Sequence, residues 1–449
     1  MNLSSHCFDH RIIVATAGLA LILSVMLRTN AAETGAQQLE AIPADSYFAP
    51  YHPVKAPAPG GLMLKRGDRL AIVGDSITQQ KMYSRLMETY LTVCTPELDI
   101  HTRQFGWSGE TAARFRRRMV SDCLRFHPSV VTLCYGMNDY RYRPYDEKNA
   151  QWYRENYTAI VRAFKQHGAR VVLGSPGCVD QVAKWVKTAS GTLQQHNQHL
   201  CIFRNIDIEI ARAEHVRFAD IFWTMFTAEY RARKLYGSDY MIAGTDGVHP
   251  GWAGHLVMAY VFLRTMGLDG DIGTISVDLA KHSATATNGH AIDRVTDNTV
   301  RITSRRYPFC ASGAVDDFNS LRSGMTLVPF NQELNRLILI VNNGTAERYH
   351  VQWGKWSRDY SAKQLADGIN LAADFVENPF TAAFDNVDQA VAAKQAFETK
   401  QIQHVFHSKK FQTHADELVA KTEKERAALV AAINRAFMPV THTIKITAK

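Results

Sequence analysis

The sequence lacks most features that mark membrane, repeat or nucleic-acid-binding proteins. Past residue 32 it has no apolar run long enough to span a bilayer, no internal repeat and no low-complexity segment. Its longest basic run is Arg116-Arg117-Arg118, so the formal net charge of +8 is dispersed along the chain. Dispersed positive charge mildly favours anionic partners but predicts no nucleic-acid binding. No CxxC pair or His/Cys cluster has zinc-site spacing, so we expect no zinc site.

The long apolar run that the sequence does have lies at its N-terminus. His10 and Arg11 precede an apolar stretch over residues 12–27, and small or polar residues follow at 29–32. This order predicts a signal peptide over residues 1–32, and an uncleaved membrane anchor is the alternative. Both interpretations place the rest of the chain outside the cytoplasm, in the periplasm or the extracellular space.

Cysteine is scarce, with seven residues among 449. Loss of Cys7 with the signal peptide would leave an even number, and export permits disulfides. Spacing alone does not reveal how the cysteines pair. Cys134 lies within an apolar run, so we expect a buried thiol at that position.

The length and a hydrophobic content of 46% predict a globular chain with two domains. Residues 33–61 contain many Ala, Pro and Gly residues, which predicts an irregular linker. Residues 62–268 alternate short apolar runs with helical periodicity, which predicts an α/β domain around a parallel sheet. Its expected strands include residues 70–73, 130–134, 171–173 and 216–219, and its expected helices include residues 157–164 and 252–263.

Residues 269–449 predict a C-terminal module that is rich in β-structure and carries a helical segment. Two apolar runs, residues 337–341 and 349–353, flank Asn342-Asn343-Gly344 and predict a β-hairpin. Residues 381–437 predict helices, and the alternation over residues 441–447 predicts a last strand for the module. Trp353 and Trp356 could contact a glycan, but we expect them in the core.

A serine follows the first expected strand. Ser76 comes directly after Gly74-Asp75 and leads into a helical segment. Ligands of open α/β sheets bind beyond the carboxyl ends of the strands, so the Ser76 hydroxyl is a candidate nucleophile. The alternative is a helix N-cap, a position where serine is common.

Two later segments offer hydrogen-bond donors. In the loop that begins at Gly106, a glycine lets a backbone N–H approach a substrate oxyanion closely. Asn138 follows the third expected strand, and its neutral amide can donate without ionisation. Each segment taken alone also fits an ordinary turn or helix cap.

The segment Asp246-Gly247-Val248-His249-Pro250 offers a base. Histidine can take a serine proton near neutral pH, and Asp246 can accept a hydrogen bond from the imidazole and hold its tautomer. Pro250 favours an extended conformation at His249 and can open the following helix. His255 lies on that helix and is expected to be structural.

In this order the four segments resemble the SGNH (GDSL-like) hydrolase superfamily over residues 68–266. The resemblance implies a flavodoxin-like sandwich with strand order 2-1-3-4-5, and ester hydrolysis without metal or cofactor. It also implies a nucleophile at Ser76, its acid and base at Asp246 and His249, and oxyanion donors at Gly109 and Asn138. The family often has asparagine before its glycines, where this chain has Gln104-Phe105-Gly106, so Gly106 is the alternative donor. The chain has no GxSxG motif, which argues against an α/β-hydrolase.

Aromatic residues beside the candidate donors bear on the substrate. Trp107 lies two residues before Gly109, and Tyr140 lies in a tyrosine-rich segment that also contains Arg141 and Arg143. Aromatic faces suit sugar rings and arginines suit acidic substituents. We therefore expect removal of O-acetyl groups from a carbohydrate, with Trp107 and Tyr140 binding the substrate. The alternative is that these aromatic residues pack a loop.

Other functions stay open at this stage. A lipid esterase or lysophospholipase would more naturally show an aliphatic lid, and none is clearly marked. A non-catalytic carbohydrate-binding protein would not require a serine with its own base. Transfer of the acyl group to another sugar instead of to water cannot be distinguished from hydrolysis by sequence. The substrate is expected to be a small-molecule or polysaccharide ester, and the oligomeric state is open.

Overall fold

The computed structural model describes residues 38–287 and 289–449. The signal peptide expected at residues 1–32 lies outside the described residues. Residues 38–61 of the expected linker are described, and they are irregular apart from one 3-10 turn at Ser46–Phe48. The side chains of Phe48, Tyr51 and Val54 are nevertheless buried, and the N–H of Val54 donates to Oδ1 of Asn205 at 2.9 Å. This segment is therefore packed against the α/β region.

A five-stranded parallel sheet forms the centre of the α/β region. Its strand order, β2-β1-β3-β4-β5, confirms the order implied by the sequence resemblance. Every residue of β3 is buried, as expected for a parallel strand with helices on both faces. The strands are β1 (Arg69–Gly74), β2 (His101–Gln104), β3 (Val130–Cys134), β4 (Arg170–Gly174) and β5 (Arg217–Ala219).

Helices cover both faces of this sheet. The apolar segment expected to form a buried helix does so, although it starts at Trp252 with Gly251 as N-cap and not at Pro250. Among the described helices, none is both long and apolar enough to cross a bilayer. The helices are α1 (Ser76–Gln79), α2 (Tyr83–Val93), α3 (Ala112–Asp122), α4 (Glu147–Gln166), α5 (Leu193–Glu214), α6 (Ile221–Tyr236) and α7 (Trp252–Thr265), with 3-10 turns at Pro96–Leu98 and Leu124–Phe126.

The C-terminal region contains two further sheets and a long helical excursion. Its elements are β6 (Asp271–Asp278), β7 (Ser283–Ala286), β8 (His290–Thr296), β9 (Thr299–Ser304), α8 (Leu321–Leu327), α9 (Phe330–Glu333), β10 (Arg336–Asn342), β11 (Arg348–Trp353), β12 (Trp356–Ser361), α10 (Ala362–Asp367), β13 (Ile369–Asn370), α11 (Leu371–Asp374), α12 (Thr381–Lys400), a π-helix (Gln401–Val405), α13 (Phe411–Ala436) and β14 (Val440–Ala448).

The two C-terminal sheets have the orders β13-β10-β6-β7 and β12-β11-β14-β9-β8. The last strand expected from the alternation near the C-terminus is present as β14, and it lies between β11 and β9. Trp353 is fully buried, and its Nε1 donates to Nδ1 of His442 at 3.0 Å. This tryptophan is therefore a core residue of the module.

The prediction of a β-hairpin around Asn342-Asn343-Gly344 is wrong. β10 pairs in parallel with β6, whereas β11 pairs with β12 and β14 in the other sheet. Asn343 has a positive φ of 58°, as a tight turn would need, but residues 343–347 form a longer connection than a two-residue hairpin loop. The local turn preference is outweighed because β10 buries alternate side chains against its own sheet.

Helices α12 and α13 cover the open edge of the parallel sheet at β2. The carbonyl of Thr102 accepts hydrogen bonds from Nζ of Lys394 at 2.8 Å and from Nη2 of Arg426 at 2.7 Å. The N–H of Gln104 donates to Oε2 of Glu398 at 3.1 Å. These side chains satisfy backbone groups that a neighbouring strand would otherwise pair, so the edge cannot recruit another chain.

All six cysteines in the described part of the chain are buried and free. Cys134, in β3, has the buried thiol expected from the sequence, and its Sγ donates to the carbonyl of Ser175 at 3.5 Å. Burial raises the pKa of the Cys134 thiol well above its usual value. The thiol is therefore neutral and acts as a small core residue.

Candidate active site

Ser76 lies at the carboxyl end of β1, where the chain turns into α1. Asp75 caps this helix, because its Oδ1 accepts a hydrogen bond from the N–H of Ile77 at 3.0 Å. Ser76 is the first residue of the helix, and N–H groups in the first turn of a helix have no partner within it. The local geometry therefore directs both the hydroxyl and the N–H of Ser76 to the end of the sheet where ligands bind.

Ser76, His249 and Asp246 form a continuous hydrogen-bonded chain. Nε2 of His249 is 2.8 Å from Oγ of Ser76, and Nδ1 of His249 is 2.6 Å from Oδ2 of Asp246. Oδ1 of Asp246 accepts the N–H groups of Val248 and His249, each at 2.9 Å. Asp246 thus holds both the ring and the backbone of His249, and it favours the tautomer in which Nε2 accepts from serine.

The hydrogen bonds around Asp246 also set its charge. Burial raises the pKa of this carboxyl, but hydrogen bonds from the backbone and the ring of His249 outweigh burial. The net result is a pKa below the usual value for aspartate. The carboxylate is therefore ionised at neutral pH and can stabilise an imidazolium at His249.

The turn between the carboxylate and the imidazole requires glycine at position 247. Gly247 has a φ of 76°, and a Cβ atom there would lie 2.8 Å from the backbone N of Gln181. Its carbonyl accepts the N–H of Asp180 at 3.0 Å, and Nε2 of Gln181 donates to the carbonyl of Thr245 at 2.7 Å. This turn and the loop after β4 are therefore held together as one unit.

Asn138 lies after β3 with its side-chain amide held by neighbouring loops. Nδ2 donates to the carbonyl of Glu110 at 3.1 Å and has a longer contact of 3.4 Å with Oδ2 of Asp75. Oδ1 accepts from the hydroxyl of Tyr142 at 3.4 Å. The shorter hydrogen bond orients the amide. The N–H in the longer contact is weakly bonded, so it can donate a hydrogen bond to an incoming oxyanion.

The glycine loop after β2 presents one of its two glycines at the surface. The N–H of Gly106 donates a hydrogen bond to Oε1 of Gln104 at 2.9 Å, and the N–H of Ser108 donates one to Oε1 of Gln79. Gly109 is exposed and has a φ of 68°, a conformation that glycine adopts at little cost. Of the two candidates, Gly109 is therefore better placed to offer its N–H to a substrate.

The C-terminal region contacts this same loop. Nε2 of Gln403, in the π-helix, is 3.4 Å from the carbonyl of Gly106. The ring of His407 meets the indole of Trp107 edge-on, with centroids 4.7 Å apart, and its Nε2 is 2.7 Å from Oδ2 of Asp122. Trp107, expected to bind substrate, is thus partly covered by His407, three hundred positions later in the chain. Nothing in the sequence pattern indicated this contact.

Tyr140, the other residue expected to bind substrate, does not reach the site surface. Its side chain is 1% exposed, its hydroxyl is 3.2 Å from Nδ1 of His196, and its ring packs against Tyr142. Tyr135 is fully buried as well. These tyrosines pack the loop after β3, which is the alternative that the sequence left open, because each ring is surrounded by other aromatic rings and imidazoles.

Trp185 is an aromatic residue beside His249 that the sequence analysis missed. Its ring lies against the ring of His249, with centroids 5.8 Å apart and planes inclined by 29°. It belongs to the irregular stretch of residues 175–192 between β4 and α5, where no periodicity marks it. The one available signal was an indole flanked by Lys184 and Lys187.

Two buried carboxylates, Asp75 and Asp139, lie close to Ser76. Burial raises the pKa of Asp75 to about 7 and the pKa of Asp139 to about 7, although each accepts backbone hydrogen bonds. Oδ1 of Asp139 accepts from the N–H of Ala112 at 2.9 Å, and Oδ2 accepts from the N–H of Gly136 at 3.1 Å. Both groups therefore change protonation state close to neutral pH.

His255 is structural, as expected. Its Nδ1 accepts from the N–H of Tyr83 at 3.3 Å, and its Nε2 is 3.1 Å from Oε1 of Gln80. Burial lowers the pKa of His255 to about 3, so the ring is neutral. Across residues 38–287 and 289–449, no three His, Cys, Asp or Glu side chains are grouped so that they could hold a metal ion.

Residues 72–257 match the GDSL-like lipase/acylhydrolase family, and the serine, the donors and the Asp–His pair all lie within this range. The match agrees with the sequence resemblance over this part of the chain. It indicates a carboxylic ester hydrolase.

Two acetylxylan esterases are similar to part of this chain. The chain is 25% identical over 225 residues to an acetylxylan esterase of Geobacillus stearothermophilus, covering 45% of this chain and 95% of that protein. A crystal structure of an acetylxylan esterase from the same organism is 21% identical, with a TM-score of 0.38 over 46% of this chain and 97% of the other.

The fold similarity extends past the catalytic region. A gut microbial diltiazem-metabolizing enzyme is 21% identical, with a TM-score of 0.70, covering 88% of this chain and 100% of the other. The C-terminal sheets and helices are therefore part of an architecture that this chain shares with another solved protein.

Proposed function

We propose that this protein is a secreted serine esterase that removes O-acetyl groups from a carbohydrate. Ser76 is the nucleophile, His249 is the general base and acid, and Asp246 orients and stabilises the imidazole. The observation that carries this proposal is the chain of contacts from Oγ of Ser76 to Nε2 of His249 at 2.8 Å, and from its Nδ1 to Asp246 at 2.6 Å. Such a chain activates a hydroxyl that is a weak nucleophile alone.

Acylation begins as Oγ of Ser76 attacks the ester carbonyl while Nε2 of His249 takes the hydroxyl proton. Negative charge then develops on the carbonyl oxygen. The N–H groups of Ser76 and Gly109 and the amide of Asn138 are the donors for this oxyanion. The imidazolium then gives its proton to the oxygen of the leaving alcohol, and the C–O bond breaks.

Deacylation repeats these steps with water. His249, neutral again, takes a proton from a water molecule as that water attacks the acetyl-serine carbonyl. The same donors stabilise the second tetrahedral intermediate. The proton then returns to Oγ of Ser76, and acetate leaves. Asp246 keeps its charge throughout and offsets the positive charge of the imidazolium.

The choice of an acetylated carbohydrate is supported by one relative and by the predicted location. The relative that is 25% identical acts, by its name, on acetylxylan. The signal peptide expected over residues 1–32 would export the enzyme to a place where polysaccharides are met. N-terminal sequencing of protein recovered from the periplasm tests export. A start near residue 33 supports cleavage, whereas an intact N-terminus supports an anchor.

The first test is hydrolysis of 4-nitrophenyl acetate by the mature protein. We expect activity that falls by at least about a thousandfold in Ser76→Ala and in His249→Ala, with unchanged circular dichroism. Ser357→Ala, at an exposed serine of β12, is the matched control and should keep wild-type activity. Equal activity in Ser76→Ala and the wild type would mean that another residue is the nucleophile.

The second test uses acetylated xylooligosaccharides, with the products identified by mass spectrometry. Release of free acetate supports deacetylation. Acetyl groups found mainly on an added sugar acceptor would show that the enzyme catalyses acyl transfer instead of hydrolysis. Cleavage of 4-nitrophenyl acetate and long-chain esters without any acetylated sugar being hydrolysed would overturn the carbohydrate assignment and favour a lipid esterase.

A further inference from the structure

An exposed tryptophan stands beside the candidate base. Trp185 is 50% exposed, although large aromatic side chains usually bury most of their surface. Its ring is near-parallel to that of His249, as described above, so its uncovered surface adjoins the position where an ester's alcohol would leave. An apolar face held in water at this place is suited to a ligand that covers it.

The loop that carries Trp185 is fastened on both sides of the site. The N–H of Ser190 donates to the carbonyl of Tyr142 at 3.1 Å, and the ring of Tyr142 meets the indole edge-on, with centroids 5.5 Å apart. The opposite end of the loop is tied to the turn that contains Gly247 through Asp180. The indole is therefore held before substrate arrives, which reduces the entropy lost on binding.

The surface around this ring is cationic. Lys184 and Lys187 flank Trp185 in the loop and are exposed, and exposed Arg143 joins the same loop, with its Nε 3.4 Å from the carbonyl of Thr188. Within residues 38–287 and 289–449, none of these three side chains forms an ion pair with a carboxylate. Their charges are therefore available to an anionic ligand.

The carboxylates close to these cations along the chain already have hydrogen-bond partners. Asp180, near the two lysines, is buried, accepts the N–H of Ala243 at 2.7 Å and lies 3.9 Å from Nη2 of Arg233. Close to Arg143, Asp146 accepts the N–H of Asn149 at 2.7 Å and Glu147 accepts the hydroxyl of Tyr145. Among the described residues none of these carboxylates pairs with the cations around the indole, so the positive charge on this loop is not part of an internal salt bridge.

The geometry points to a subsite for the alcohol part of the ester, specific for an acidic sugar. In this inference a pyranose ring lies on Trp185, and its carboxylate, or that of the next sugar, binds Lys184, Lys187 and Arg143. The substrate class is an O-acetylated glycan that contains uronic acid. The inference rests on the proposed function, because it takes Ser76 and His249 as the reacting pair.

The proposed binding of a sugar carboxylate is tested with two substrates that differ only in that carboxylate. They are a mono-O-acetylated methyl glucuronoside and methyl glucoside acetylated at the same position. We expect kcat/KM to favour the glucuronoside about fivefold to tenfold at low salt, as two or three exposed ion pairs would allow. The preference should disappear in 0.5 M NaCl, where screening is strong. A preference near one at low salt, or one for the neutral sugar, overturns the inference.

The double variant Lys184→Gln/Lys187→Gln should bring the ratio of the two kcat/KM values close to one. The control is Lys421→Gln/Lys424→Gln, which removes two exposed lysines from α13 and should leave the ratio unchanged. A ratio that stays at the wild-type value in the loop variant would show that these lysines do not bind the carboxylate.

The tryptophan is tested by comparing sugar and non-sugar esters. Trp185→Ala should raise KM for the acetylated glucuronoside roughly tenfold, and Trp185→Tyr should recover most of the loss, because a smaller ring still stacks. An equal loss of kcat/KM on 4-nitrophenyl acetate would mean that the indole acts through His249 and binds no sugar. Failure of every variant and the wild type on 4-nitrophenyl acetate would instead count against the proposed esterase itself.

Discussion

Nε2 of Gln403 donates a hydrogen bond to Oε1 of Gln79 at 2.8 Å, although 324 residues separate the two along the chain. Gln79 ends the short helix that Ser76 begins, and the same Oε1 accepts the N–H of Ser108 in the glycine loop. One amide from the C-terminal region therefore links the helix that begins at Ser76 to the loop that carries Gly109. This contact gives residues 401–405 a part in holding the candidate oxyanion donors.

Gln403→Ala should lower kcat for 4-nitrophenyl acetate about tenfold with a smaller change in KM, because a donor that shifts slightly loses mainly transition-state stabilisation. Steady-state kinetics on the mature protein measure the split. His404→Ala, at an exposed neighbour in the same π-helix, is the control and should behave like the wild type. A pure KM effect in Gln403→Ala would argue for substrate contact instead of positioning.

Asn138→Ala should lower kcat by about a hundredfold to a thousandfold, as expected when one oxyanion donor is lost. KM should change little, because the contact tightens in the transition state. The variant must be compared with Asn434→Ala, which removes an exposed amide on α13. An unchanged kcat in Asn138→Ala would remove this residue from the oxyanion role.

Lys394→Met should destabilise the fold. Lys394 is 1% exposed, and its Nζ lies 3.0 Å from Oε1 of Glu88 and 2.8 Å from Oε1 of Glu398. Burial raises the pKa of Glu398, but the charges of Lys394, Arg426 and Arg103 lower it by a larger amount. The pKa therefore lies below its usual value, and the carboxylate is ionised. Removing the cation should reduce the free energy of unfolding by about 3–5 kcal/mol.

Urea unfolding measures this loss, with Lys424→Met as the control at an exposed position of α13. The control should stay within about 0.5 kcal/mol of the wild type. A similarly small change in the free energy of unfolding of Lys394→Met would mean that water or protonation compensates the charges of Glu88 and Glu398. The lysine would then not be needed to bury these glutamates.

The stability of the protein should fall as the pH rises through the range in which Asp139 titrates. Its pKa is raised from 3.8 to about 7 by burial, so the folded state binds its proton more tightly than the unfolded state. The stability from this proton is complete below pH 4 and is lost by pH 7. The side chain introduced by Asp139→Asn cannot titrate. The free energy of unfolding of this variant, relative to that of the wild type, should therefore increase by about 2 kcal/mol between pH 5 and pH 8.

Urea unfolding of both proteins at pH 5, 6.5 and 8 gives the comparison. The readout is the change with pH in the difference between variant and wild type, because the substitution also alters the hydrogen bond to Gly136 by a pH-independent amount. Asp239→Asn, at an exposed carboxylate, supplies the control and should show a smaller change. A constant difference across these pH values would show that Asp139 does not titrate in this range.

The presence of a parallel sheet and the positions of Ser76, Asn138, Asp246 and His249 after its strands could be predicted from local patterns, whereas the strand order was implied by the family resemblance. Apolar runs of strand length mark the sheet, and parallel strands bring their carboxyl ends to one edge. The pairing of β10 with β6 could not be predicted, because an Asn-Gly turn signal describes neighbouring residues and not the sheet that each strand joins.

The sequence by itself therefore determined the strands of the parallel sheet, the short Asp-x-x-His turn and the polar residues that follow the strands, because each depends on residues close together along the chain. The tertiary structure alone decided that Tyr140 is buried, that Trp185 lies on His249, and that Gln403 reaches Gln79. These relationships depend on how irregular loops and distant elements pack, and the free energy of such packing is shared among contacts that no local pattern records.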